Sequence, residues 1–125
     1  MDDEALLEAA RAARTHAYAP YSACPVGAAL QCSDGTVVTA CNVENASYGL
    51  GICAERGAVT AAVAAGHRRF AGLAVAGPDD VVASPCGACR QVLAEFEPEL
   101  RIVYTTPGGS RTTTLGALLP ERFEL

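Results

Sequence analysis

Two short cysteine-bearing segments restrict how this chain can fold, because their side chains belong together. They are Cys53-Ala54-Glu55 and Pro85-Cys86-Gly87-Ala88-Cys89. Cysteines three residues apart on a helix put both sulfurs on one face. Free N–H groups in a first helical turn also favour thiolate over thiol. Each segment sits at a predicted helix start, so the fold has to bring two helix N-termini to one point. Three thiolates gathered there suit a tetrahedral zinc, with Zn–S bonds of about 2.3 Å, and leave a fourth position open for water. That open position separates a catalytic zinc from a structural one.

Glu55 gives such a site its chemistry. It follows Cys53 by two residues and reaches the metal-bound water from the same helix end. Zinc lowers the pKa of that water to roughly 7. A carboxylate beside it can take one proton and return it to a leaving group. Three thiolates on Zn²⁺ leave a net negative charge, and the Arg56 guanidinium, hydrogen-bonded to a ligand sulfur, would offset it.

Plainer readings of the same residues stand beside this one. A lone C-x-x-C is shared by redox motifs and structural zinc sites. Cys86 lacks the strand context of a thioredoxin-like motif. A closed zinc site would take Cys24, Cys41 or His67 as its fourth ligand. Cys24, Cys32 and Cys41 fall on or near predicted strands, where free cysteine behaves as a small hydrophobe. His16 and His67 sit at helix ends and read as surface residues. Glu55 alone could be an ordinary first-turn acid.

Composition narrows the functional classes. The 125 residues suit one domain, 1–125, and half of them are hydrophobic, enough for a core. Only 18% are charged, which leaves surface for an oligomer to cover. Net charge is −5 and the pI about 4.9, against a nucleic-acid partner, while free nucleosides are uncharged. No stretch approaches the roughly 20 apolar residues of a membrane span. The acidic start, Met1-Asp2-Asp3-Glu4, lacks the basic region of a secretion signal. A cytoplasmic protein is expected, where six cysteines point to metal or catalysis before disulfides.

Periodicity predicts a helix over 2–18, with Leu6, Ala9, Ala10, Ala13 and Ala17 on one stripe and Pro20 as its stop. Strands are expected over 26–32 and 36–42, joined by a hairpin at Ser33-Asp34-Gly35. An irregular stretch covers 43–52. A helix over 53–65 closes at Gly66. A strand over 70–76 precedes a helix opened by Pro85 and running to about Phe96. Strands at 101–106 and 112–114 and a helical piece at 115–119 follow. The pattern predicts an α/β fold, one mixed sheet with helices on both faces.

Cys53-x-Glu55 followed by Pro85-Cys86-x-x-Cys89 is the signature shared by zinc-dependent nucleobase deaminases. Beyond it the chain resembles the small homotetrameric cytidine deaminases over nearly its whole length. The resemblance rests on Tyr18-Ala19-Pro20-Tyr21-Ser22, Val26-Gly27-Ala28-Ala29-Leu30, Asn42-Val43-Glu44-Asn45, Cys53-Ala54-Glu55-Arg56, Pro85-Cys86-Gly87-Ala88-Cys89-Arg90-Gln91-Val92 and Leu118-Leu119-Pro120. It implies a three-layer α/β/α fold around a mixed five-stranded sheet and one zinc per subunit on Cys53, Cys86 and Cys89. It implies Glu55 as a proton shuttle that also holds pyrimidine N3, and Ala54 as a backbone contact to the base. It assigns Asn42 and Glu44 to the ribose. It also implies sites shared between subunits, with Tyr48 from a neighbouring chain and Phe123 covering the base.

One departure stands out: Cys24 occupies a position where the family usually has Phe. That aromatic stacks on the pyrimidine, an interaction of about 1–3 kcal/mol per base. Its loss implies a raised KM for cytidine or room for a bulkier base. The expected reaction is hydrolysis of cytidine and deoxycytidine to the uridine form with release of ammonia. The alternatives are a blasticidin-type modified cytosine nucleoside as substrate, which Asn42 and Glu44 disfavour, and a catalytically silent zinc module. A nucleic-acid editing role is opposed by the acidic charge and the absence of Trp.

Overall fold

Short runs of alanine and branched aliphatics, broken by glycine and proline turns, build the sheet of this chain. The computed structural model describes all 125 residues. Along the chain come α1 (Asp3–Arg14), β1 (Gly27–Cys32), β2 (Val37–Cys41) and a single 3₁₀ turn (Tyr48–Leu50). They are followed by α2 (Ala54–Ala64), β3 (Phe70–Ala76), α3 (Gly87–Phe96), β4 (Arg101–Thr106), β5 (Gly109–Thr114) and α4 (Leu115–Leu118). The five strands form one sheet in the order β2-β1-β3-β4-β5. Only β3 and β4 run parallel; the other neighbours are antiparallel. The sheet is therefore mixed, and α3 is the crossover that a parallel pair requires.

Alternation along the strands sorts residues between the two faces. On one face Ala29, Ala74, Ala76 and Val103 pack against Leu6, Leu7 and Ala10 of α1. On the other, Ala28, Leu30, Leu73, Val75, Ile102 and Tyr104 share a core with Ala58, Val59 and Ala62 of α2 and Leu93 of α3. This is a three-layer α/β/α architecture. No helix is long and apolar enough to cross a membrane.

The first helix is shorter than its periodicity predicts. Asp2 caps it through Ala5 N at 2.8 Å, and it ends at Arg14 with the Thr15 hydroxyl bonded to Ala12 O at 2.7 Å. Ala17 lies beyond it. The next residues are drawn away by pairing: Tyr18 N donates to Asn42 O (3.0 Å) and Glu44 N donates to Tyr18 O (2.8 Å). Pro85 likewise does not open α3 but precedes its N-cap, Cys86. The last strand starts at Gly109, three residues earlier than expected, because Pro107 and Gly108 suffice for the turn, with Gly108 at φ 82°. The Gly66 cap forms as expected: φ is 97°, and His67 N bonds back to Ala62 O at 2.9 Å.

Gly27 is where β1 and α1 come closest. A Cβ there would stand 2.0 Å from Ala10 O and 2.5 Å from Arg14 N, both backbone atoms that cannot step aside. Gly27→Val should therefore destabilise the fold by about 3 kcal/mol or more, read as a lowered midpoint in urea unfolding.

Candidate metal centre

The sheet register explains why two helix starts meet. Cys41, at the end of β2, and Ala76, at the end of β3, both pair with Gly27 of β1. Strands β2 and β3 are each antiparallel to β1, so they point the same way and finish level. Each then leads through a loop into a helix, and α2 and α3 begin near the same sheet end. Ligand sites in α/β folds form outside such strand ends.

Both helices have cysteine at the N-cap, Cys53 and Cys86, and neither makes a side-chain capping bond. Ser, Thr, Asp or Asn would normally stand there and accept a first-turn N–H, worth about 1 kcal/mol. Here the sulfurs point at one another instead. Cys53 Sγ lies 3.9 Å from Cys86 Sγ, which lies 3.4 Å from Cys89 Sγ. All three fall within 4.8 Å. Tetrahedral Zn–S bonds of about 2.3 Å separate sulfurs by about 3.8 Å, so the cluster has the dimensions of a zinc site. No fourth His, Cys, Asp or Glu atom joins the group. Cys24, Cys41 and His67 are not in it, and His67 faces Asp34 at 3.7 Å. None of the six cysteines is in a disulfide.

A shared hydrogen bond divides the protons of this cluster unevenly. The Cys53 thiol is depressed to about 5 by hydrogen bonding with Cys89, with the Arg56 bond adding to the effect against the cost of burial. Cys89, sharing that bond and buried, is pushed up. Without a metal, the cluster accommodates thiolate unevenly. Arg56 Nη2 donates to Cys53 Sγ at 3.4 Å, as expected for charge compensation, while its buried Nε has no protein partner.

Glu55 is 5% exposed, one of two buried polar side chains, and burial foremost pushes its carboxyl up to about 6. It lines a cavity of about 200 Å³ with Cys53, Ala54, Cys86, Asn42, Val26 and Val75. The remaining wall is Val81, Val82, Ala83 and Ser84. That wall was missed from sequence; the Val81-Val82-Ala83 run after a turn was its only signal. An apolar cleft with one buried acid whose pKa is raised towards neutrality is suited to moving protons on a flat heterocycle.

The other expected site residues are distributed differently. Asn42 Oδ1 accepts from Val26 N (2.8 Å) and its Nδ2 donates to Cys24 O (3.0 Å). Glu44 accepts from Tyr21 N (2.9 Å), Ser22 N (3.1 Å) and the Ser22 hydroxyl. Glu44 lines a neighbouring depression with Tyr21, Ser22, Asn45, Tyr48 and Gly51. Tyr48 is 82% exposed there. Cys24 is half-buried and outside the cavity lining. Phe123 is 69% exposed on the outside of α3, where the Gln91 side chain bonds both its N and its O at 3.1 Å. Within one chain, Tyr48 and Phe123 do not reach the cavity.

A family model described as the cytidine and deoxycytidylate deaminase zinc-binding region matches residues 1–106. A cytidine deaminase of Sporosarcina psychrophila is 48% identical over 98% of this chain and 92% of its own. Among solved structures, cytidine deaminase from Burkholderia pseudomallei superposes with a TM-score of 0.93 at 54% identity, covering 98% of this chain and 100% of that one. Cytidine deaminase from Mycobacterium tuberculosis gives 0.87 at 44% identity, covering 100% and 99%.

The arrangement predicts that Cys86→Ser and Cys89→Ser each lose most bound zinc, measured by metal analysis after dialysis. Arg56→Met should keep the fold and weaken zinc about 10- to 100-fold in competition with a chromogenic chelator.

Proposed function

The chain belongs to the cytidine and deoxycytidylate deaminase family, and from that premise we infer that it is a zinc-dependent enzyme hydrolysing cytidine and deoxycytidine to uridine and deoxyuridine with release of ammonia. The observation that carries this reading is a buried Glu55 beside three converging sulfurs. One zinc per subunit, held by Cys53, Cys86 and Cys89, supplies a water activated for attack at C4.

The residues of the chain do the rest. Glu55 takes one proton from the attacking water and delivers it to N3, then takes the second from the hydroxyl added at C4 and gives it to the departing amine as the carbonyl forms. Its carboxyl, raised to about 6, can both accept and release a proton near neutrality. The Ala54 backbone contacts the base, and Arg56 keeps the thiolate charge balanced. Val26 and the 81–84 wall exclude water around the ring. Asn42 and Glu44 bind the ribose hydroxyls, carboxamide and carboxylate both being suited to that.

A complete site needs more than one subunit. Tyr48 and Phe123, exposed in a single chain, contribute from neighbouring copies in a homotetramer. The exposed Tyr18, Tyr21, Val43, Leu50 and Ile52 support such an assembly, since burying them would remove apolar surface from water. The chain acts as one domain, 1–125, in the cytoplasm, in pyrimidine salvage. The ligand is a free nucleoside and neither nucleic acid nor membrane. Cys24 leaves the base without its usual stacking partner.

Glu55→Ala should abolish ammonia release from cytidine while zinc content stays at one per chain; appreciable turnover would contradict the assignment. Cys24→Phe should lower KM for cytidine about fivefold or more with kcat little changed, in steady-state assays.

A further inference from the structure

The wall formed by Val81 to Ser84 belongs to the loop between β3 and α3, and it has no strand or helix ladder to hold it. Its upstream hinge is Gly77. The Gly77 N–H donates to the buried Thr105 hydroxyl at 2.9 Å, and its carbonyl accepts from the Arg14 guanidinium. Farther along, Ala83 N donates to the backbone carbonyl of the same Thr105, also at 2.9 Å. The two ends of the loop touch: a Cβ on Gly77 would stand 3.0 Å from Ala83 Cβ. The downstream end is fixed separately, by Arg90 Nε donating to Pro85 O at 2.7 Å. Thr105 is 6% exposed and, with Glu55, completes the pair of buried polar side chains. Unlike Glu55, it does not line the cavity.

We propose that Thr105 is a positioning residue for deamination, its hydroxyl and carbonyl together clamping the Gly77–Ala83 loop so that the wall meets the base. The proposal rests on the deaminase reading above. A buried N–H stripped of its acceptor is costly, so a chain lacking the hydroxyl relaxes by letting Gly77 move. The wall then shifts, and contacts made equally in ground and transition state weaken. Such a loss raises KM and leaves kcat nearly unchanged. Zinc is spared, because the Cys86 end hangs on Arg90.

Thr105→Val keeps the shape and removes the acceptor; Thr105→Ser keeps the acceptor. In the zinc-loaded enzyme, T105V should raise KM for cytidine about tenfold with kcat within about twofold, and T105S should behave as wild type. Hydrogen exchange provides a reading independent of turnover. The Ala83 amide, whose own acceptor is untouched in T105V, should exchange about tenfold faster or more. Wild-type KM and wild-type Ala83 exchange in T105V would overturn the proposal, as would equal impairment in T105S. Should T105V fail to fold, Arg14→Met loosens Gly77 from the opposite side. It should move KM and Ala83 exchange the same way, and no change in either would overturn the clamp. A wild-type enzyme releasing no ammonia would instead refute the deaminase reading, with the exchange result still reporting on Thr105.

Discussion

Three sulfurs within 4.8 Å of one another form a constraint that needs a cation to make it comfortable. Thiolate beside thiolate is repulsive, and in the protein alone a hydrogen bond between Cys89 and Cys53 holds the Cys53 thiol low and the Cys89 thiol high, so that one thiolate is favoured over two. A divalent zinc with three thiolates carries a net −1, and Arg56 brings the local sum to zero. Two helix N-termini add partial positive charge from backbone N–H groups left without a side-chain cap. Capping strength is surrendered at both helices, and the same positions are thereby freed to serve the metal.

The sheet exists in the form that makes this convergence automatic. Pairing β1 with both β2 and β3 antiparallel forces the outer two to end on one side, level at Gly27. Gly27 then has to be glycine because α1 lies across it. The same residue thus aligns the two strand ends and admits the helix that covers the opposite face. Small side chains at Ala29, Ala74 and Ala76 allow that helix to sit close. Larger ones, Leu30, Leu73, Val75 and Ile102, fill the face that carries α2 and α3.

Much of this is legible in the amino-acid sequence. The cysteine spacing points to the three sulfurs that the fold gathers, and periodicity, glycine and proline place the four α-helices and five strands, though not the 3₁₀ turn at Tyr48–Leu50. What was not legible came from contacts distant in sequence. The end of α1 depends on Tyr18 pairing with Asn42 and Glu44, which no local pattern encodes. Helical periodicity therefore runs past the true end at Arg14, as far as Ala17. The 81–84 wall is tied into the fold by a bond from Ala83 N to the Thr105 carbonyl, on a strand more than twenty residues away in sequence. Asn42 and Glu44 read as ligand-binding polar residues, whereas their bonds to segment 21–26 become visible only in the fold.

Those bonds bear on substrate range. The turn containing Cys24 is fixed at both sides, by three bonds to the Glu44 carboxylate and two to the Asn42 amide. The Ser22 hydroxyl, with the neighbouring N–H groups, keeps the Glu44 carboxyl below its ordinary range, so the clamp stays ionised at neutral pH. Ala23, between them, adopts φ 55°, a left-handed conformation that a non-glycine residue keeps only when its surroundings impose it. A turn held this firmly does not adapt to a ligand by moving its backbone. The side chain at position 24 is therefore carried on a fixed frame, and thiol in place of a ring changes the space beside that turn without altering its backbone. Asn42 and Glu44, proposed for the ribose, and Cys24, proposed for the base, thus belong to one braced unit, which ties the two proposed roles to a single piece of backbone.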